Sequence, residues 1–131
     1  MKMSILFLVA ALATGFASHA IADDLPPVKN VVININDAFI PGGFDSETDA
    51  YVIVNGLFPN GCYRWKEAQV NHVNTMEHEI TSVAAVSQGM CIQVLVPFSK
   101  DIKLGKLATG KHSLRFLSGD GTYLEKSLVV E

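Results

Sequence analysis

His72-Val73-Asn74-Thr75-Met76-Glu77-His78 is the densest run of ligand-type side chains in this chain. Imidazole nitrogen and thioether sulfur together suit copper. On an extended strand Met76 and His78 share a face, so His72, Met76 and His78 form a candidate metal set. The plainer expectation is that Met76 and Ile80 pack inward while His78 is a hydrogen-bonded, half-buried histidine. Asp45-Ser46-Glu47-Thr48-Asp49 alternates acids as calcium loops do. Its sixth position is Ala50 where such a loop needs glycine, and its twelfth is Gly56 where it needs glutamate. It reads as a solvated loop that keeps a sheet edge from pairing with other chains. Glu77 and Glu79 would lie on one face of a strand, without the two different environments that acid–base catalysis requires. There is no G-x-S-x-G elbow, no phosphate-binding glycine loop and no dinucleotide fingerprint. The expectation is therefore a protein that is not an enzyme and carries no cofactor.

Cys62 and Cys91 are the only cysteines. Their meaning depends on compartment. Lys2 gives a short positive start, Ile5 to Ala13 is apolar, and Ala20-Ile21-Ala22 is a small-x-small cleavage site. Residues 1–22 read as a cleavable signal peptide, so the chain is expected to be exported, to a periplasm or the extracellular space. No stretch reaches the roughly 20 apolar residues of a spanning helix. In an oxidising compartment an isolated cysteine pair is most simply a disulfide. Closing a loop of about 30 residues stabilises by roughly 3–4 kcal/mol in the chain-entropy account. A redox-active pair would want the C-x-x-C spacing, which is absent here.

Past the leader about 110 residues remain, enough for one domain with one modest core. The net charge is −3 over the full chain, and no Lys/Arg cluster appears. That excludes a phosphate-backbone footprint, so no nucleic-acid partner is expected.

The elements that must position these residues read as strands. Residues 23–30 are polar, contain Pro26-Pro27, and are expected as a flexible lead-in. Val31, Ile33 and Ile35 alternate with polar residues, and Tyr51–Val54 is β-branched and aromatic. Pro59-Asn60-Gly61 is a turn. Tyr63–Lys66 alternates, and 70–86 holds one long or two short strands. Residues 91–96 are apolar on both faces and read as a central, covered strand ended by Pro97, with 100–109 a connecting stretch plugged by Leu104 and Leu107. His112, Leu114 and Phe116 share a face. Ser118–Gly121 is a hairpin loop, and 123–130 the last strand. About seven strands with turns every 8–15 residues, and no long amphipathic helix, predict an all-β, two-layer antiparallel β-sandwich over residues 31–131.

This pattern resembles the immunoglobulin-like β-sandwich of small bacterial exported proteins. Trp65 on the third strand carries the resemblance, with Gly56-Leu57-Phe58-Pro59-Asn60-Gly61-Cys62-Tyr63 leading into it. So does Leu107-Ala108-Thr109-Gly110-Lys111-His112, entering the sixth strand. The resemblance implies that Trp65 is buried. It implies a Cys62–Cys91 bridge clipping the sheets at one rim. It puts His112 where such domains place a corner tyrosine bonded to backbone, a bond an imidazole N–H can make. Tyr63, Trp65 and Tyr123 are aromatic candidates for a binding face, with Trp65 weighted toward core.

The functional expectation is a non-catalytic binding module for a protein or other macromolecular ligand, acting through loops 56–62 and 86–91, which the bridge would stiffen. The alternatives are a periplasmic copper-binding protein, or a small enzyme or protease inhibitor.

Overall fold

The computed structural model describes residues 26–131 together with Gly15. The expected signal peptide, its cleavage site and the first part of the lead-in lie outside the described residues. Eight strands follow one another: β1 (Val28–Val32), β2 (Asp37–Phe39), β3 (Asp49–Phe58), β4 (Tyr63–His72), β5 (Glu77–Ser87), β6 (Val96–Lys106), β7 (Gly110–Leu117) and β8 (Tyr123–Val130). There is no helix among the described residues, and hence none long and apolar enough to cross a membrane.

The strands form two sheets. In one, β5 is central: β4 pairs along one edge, while β1 and β7 share the other, and β8 flanks β7. β1 takes Val83–Ser87 of β5 and β7 takes Glu77–Thr81. The second sheet is β2-β3-β6. Pairing between named strands is antiparallel except for β5 with β7. The exception follows from the path. The chain leaves β5, runs back along the opposite sheet as β6, and returns as β7, so β5 and β7 point the same way.

Period-two burial on both sheets makes the core. Ala50, Val52, Val54 and Phe58 of β3 are buried, as are Ile80 and Ala84 of β5 and Ile102 and Leu104 of β6. Leu114 and Phe116 of β7 and Leu128 and Val130 of β8 complete it. Trp65 is half-buried and packs against both core clusters, with its ring 5.8 Å from Phe98. Tyr63 stacks on Phe58, while Tyr123 stands exposed beside Arg115, so the three aromatics form no common face.

Four element expectations are corrected. β1 begins at Val28, inside the expected lead-in. Ile33 and Ile35 lie past its end, where the chain crosses between sheets: Ile33 N–H donates to Ser82 O and Asn36 N–H to Asn55 O. Residues 91–95 are not a strand but an exposed connection, with Ile92 73% and Leu95 66% accessible. Pro97 does not end a strand; β6 begins at Val96 and absorbs most of the expected connecting stretch. An edge position explains the tolerance: β6 pairs only with β3, so proline's missing N–H can face outward.

Gly56 has a packing reason to be glycine. It faces Phe98 across β3 and β6, and a Cβ there would lie 2.6 and 2.7 Å from two Phe98 ring atoms. Gly56→Ala should therefore displace the ring and cost about 1–3 kcal/mol of stability, read by urea denaturation. An unchanged midpoint would show that the ring has room to move.

Candidate functional site

Local turn chemistry creates the histidine site. Between β4 and β5, Asn74 Oδ1 accepts from the backbone N–H of Met76 at 2.9 Å and of Glu77 at 2.8 Å. Val73 N–H donates to Glu77 O at 3.0 Å. This is an asparagine-nucleated turn, in which a side chain stands in for the backbone. It closes the hairpin so that His72 and His78 are direct cross-strand partners. The turn was the missed signal in residues 70–86: it has neither glycine nor proline, and Asn74 was its only mark.

The two rings meet edge to face, with Nδ1 of His72 2.6 Å from Nδ1 of His78. His78 Nε2 lies 2.8 Å from His112 Nδ1, and His112 Nε2 lies 2.6 Å from the Ala108 carbonyl oxygen. His78 and His112 are buried, while His72 is exposed. The imidazole thus makes the backbone bond expected of a corner residue, four residues back along the chain. The corner role of His112 is the one its sequence position suggests; its contact with His78 is not visible in the sequence.

The carbonyl fixes the protons of the whole row. Ala108 O can only accept, so His112 Nε2 carries hydrogen and donates. A neutral His112 then offers Nδ1 as an acceptor, which His78 fills by donating from Nε2. His78 Nδ1 is left as a lone pair and accepts from His72 Nδ1–H. Burial, reinforced by charge on His72 and then on His112, pushes the His78 pKa down to about 4.

Met76 does not join the pair. It is half-buried, and its methyl lies against Gly110 at the start of β7, where an added Cβ would come within 2.5 Å. Gly110 also has φ +135°, a conformation that favours glycine. A shallow pocket of about 200 Å³ opens over the row, lined by His72, Asn74, Thr75, His78, Lys106 and Leu107. Among the described residues, no three His, Cys, Asp or Glu side chains converge to hold a metal ion. The acidic loop is a turn as well: Asp45 accepts from Glu47 N–H and from Thr48 Oγ–H, and the Thr48 bond leads in lowering its pKa. Glu77 and Glu79 are half-buried on the face of β5 opposite His78, and Glu77 accepts from the Asn74 amide.

The other sequence-predicted site is the bridge. Cys62 and Cys91 are disulfide-bonded with Cα atoms 5.2 Å apart, within the usual span. Cys62 precedes β4 and Cys91 lies in the β5–β6 connection. The bond therefore joins two connections that pass between the sheets at one end of the sandwich. Gly61 N–H donates to Ile92 O at 2.8 Å, and Ser87 N–H to Cys62 O at 3.0 Å.

Two sheets of strands around an aliphatic core make this a β-sandwich domain. A family model described as ORF11 beta-sandwich domain matches residues 52–130, more than half of the chain, and the chain belongs to that family. The match spans both cysteines and all three histidines of the row. No curated protein and no solved structure matches the chain.

A depressed histidine pKa sets the sign of a pH effect. Above about pH 6.5 His78 is neutral whether the chain is folded or not, and the fold carries no penalty from it. As pH falls from 6.5 towards 4, the unfolded chain takes up the proton first and stability drops. The drop should be on the order of 1–3 kcal/mol across that window. Urea denaturation at pH 7.5, 6, 5 and 4 measures it. His78→Phe should flatten the curve, whatever its stability at neutral pH; an unchanged slope would place the proton uptake elsewhere.

Proposed function

We propose that this chain is an exported, non-catalytic interaction module that binds a protein partner through the connections at the bridged end of the sandwich. The observation that carries the reading is the apolar connection at that end. Met90, Ile92, Val94 and Leu95 are exposed on a segment tied at Cys91 to Cys62. Apolar side chains clustered on a stiffened connection are what partner recognition uses, because little ordering entropy remains to be lost on binding. Leu57, which the sequence places in a loop but which lies at the end of β3, is exposed too.

Support for export comes from the disulfide, which fits an oxidising compartment, and from the leader-like pattern of residues 1–22. The non-catalytic reading draws on the histidine row, whose buried members are already bonded to each other and to backbone. Likeness to immunoglobulin-like modules enters as analogy of fold, which does not by itself assign function.

The test is a combined variant, Met90→Ser, Ile92→Ser, Val94→Ser and Leu95→Ser, with the bridge intact. Its thermal midpoint should stay within a few degrees of the parent, since these side chains are outside the core. A partner captured by the parent from its native exported fraction should be lost. Capture that survives in a folded variant would remove this surface as the binding site.

A further inference from the structure

We propose that His72 and His78 form a two-nitrogen site for a divalent first-row transition metal, copper(II) foremost, with His112 as the residue that positions His78. This goes beyond the interaction reading and uses the opposite end of β5. The two imidazoles are cross-strand partners, and their Nδ1 atoms face each other at 2.6 Å beneath an open pocket.

The row behind His78 is what distinguishes the pair from two surface histidines. A metal-bound histidine characteristically gives its other ring N–H to a fixed acceptor, which sets its tautomer and aims the ligating nitrogen. His78 gives its Nε2–H to His112, and His112 is held in turn by the Ala108 carbonyl. The His78 Nδ1 lone pair is thereby aimed toward His72 before any ligand arrives. His72 is exposed, so its proton can leave Nδ1 and return from solvent at Nε2. Both Nδ1 lone pairs then face the metal, and no net proton is released.

The fit requires the exposed ring to move and the buried one to stay. Metal–nitrogen bonds of about 2.0–2.1 Å at a right angle put the two nitrogens about 3 Å apart. With the buried His78 in place and the metal on its Nδ1 lone pair, the exposed His72 ring must swing outward by about 2 Å to bring its own Nδ1 to the metal. Two adjacent imidazoles with the remaining positions open to water suit the tetragonal preference of copper(II), which also heads the affinity order for divalent ions. Lys106 stands at the pocket rim, and its charge opposes a cation there.

Calorimetric titration of the purified protein with Cu(II) alone and with Zn(II) alone, in a non-coordinating buffer at pH 7.5, tests the site. The expected result is one equivalent bound, Cu(II) more tightly than Zn(II), with electron paramagnetic resonance showing two coordinated imidazole nitrogens. His72→Ala, a surface change, should weaken Cu(II) binding at least about tenfold and remove one nitrogen from the spectrum. His112→Phe should weaken binding roughly 10–100-fold while both nitrogens remain, as fits a positioning residue. Lys106→Gln should tighten it. Absence of stoichiometric Cu(II) binding, or binding unaltered in His72→Ala, overturns the proposal.

Discussion

The Cys62–Cys91 bond is the constraint from which the bridged end of the molecule takes its form. It ties the β3–β4 connection to the β5–β6 connection, both of which carry the chain from one sheet to the other. Only with that tie does the position of residues 90–95 make sense. A run with Met90, Ile92, Val94 and Leu95 has the composition of a buried or aggregating strand. Here it stays outside the sandwich, pinned through Cys91 and through the Gly61–Ile92 backbone bond.

The other end is organised by polar contacts instead. Asn74 closes the β4–β5 hairpin, which sets His72 across from His78. The parallel pairing of β5 with β7 then sets His78 beside Leu114 in register, with His112 within reach of its ring. Buried polar side chains inside a core are costly unless each has a partner. His78 and His112 meet that condition by bonding to each other, to Ala108 and to His72. The row satisfies two buried rings, with the exposed His72 as its outermost member.

Much of the architecture was legible because period-two alternation is a strong signal where one face is buried. Tyr51–Val54, Tyr63–Lys66 and His112-Leu114-Phe116 fell on strands, and the Ser118–Gly121 loop joined β7 to β8. The bridge was legible from the cysteine count together with the expectation of export. What misled was apolarity without alternation: residues 91–96 read as a covered strand, since a run of hydrophobic residues carries no information about which covalent tie will hold it out. Pro97 misled for a related reason, because its meaning depends on whether the strand is central or at an edge. The histidine row was half legible. His72 and His78 are close in sequence, but His112 joins them only through β5–β7 pairing, and long-range parallel pairing leaves no local trace. Met76 was drawn away by its contact with Gly110.

Whether the Cys62–Cys91 bond exists is read by peptide mapping with mass spectrometry, on protein denatured without reductant and treated with an alkylating agent. Neither cysteine should be alkylated, and a fragment joining the Cys62 and Cys91 peptides should be recovered. Two alkylated cysteines in separate peptides would contradict the bond, and with it the reason for an apolar segment held outside the core.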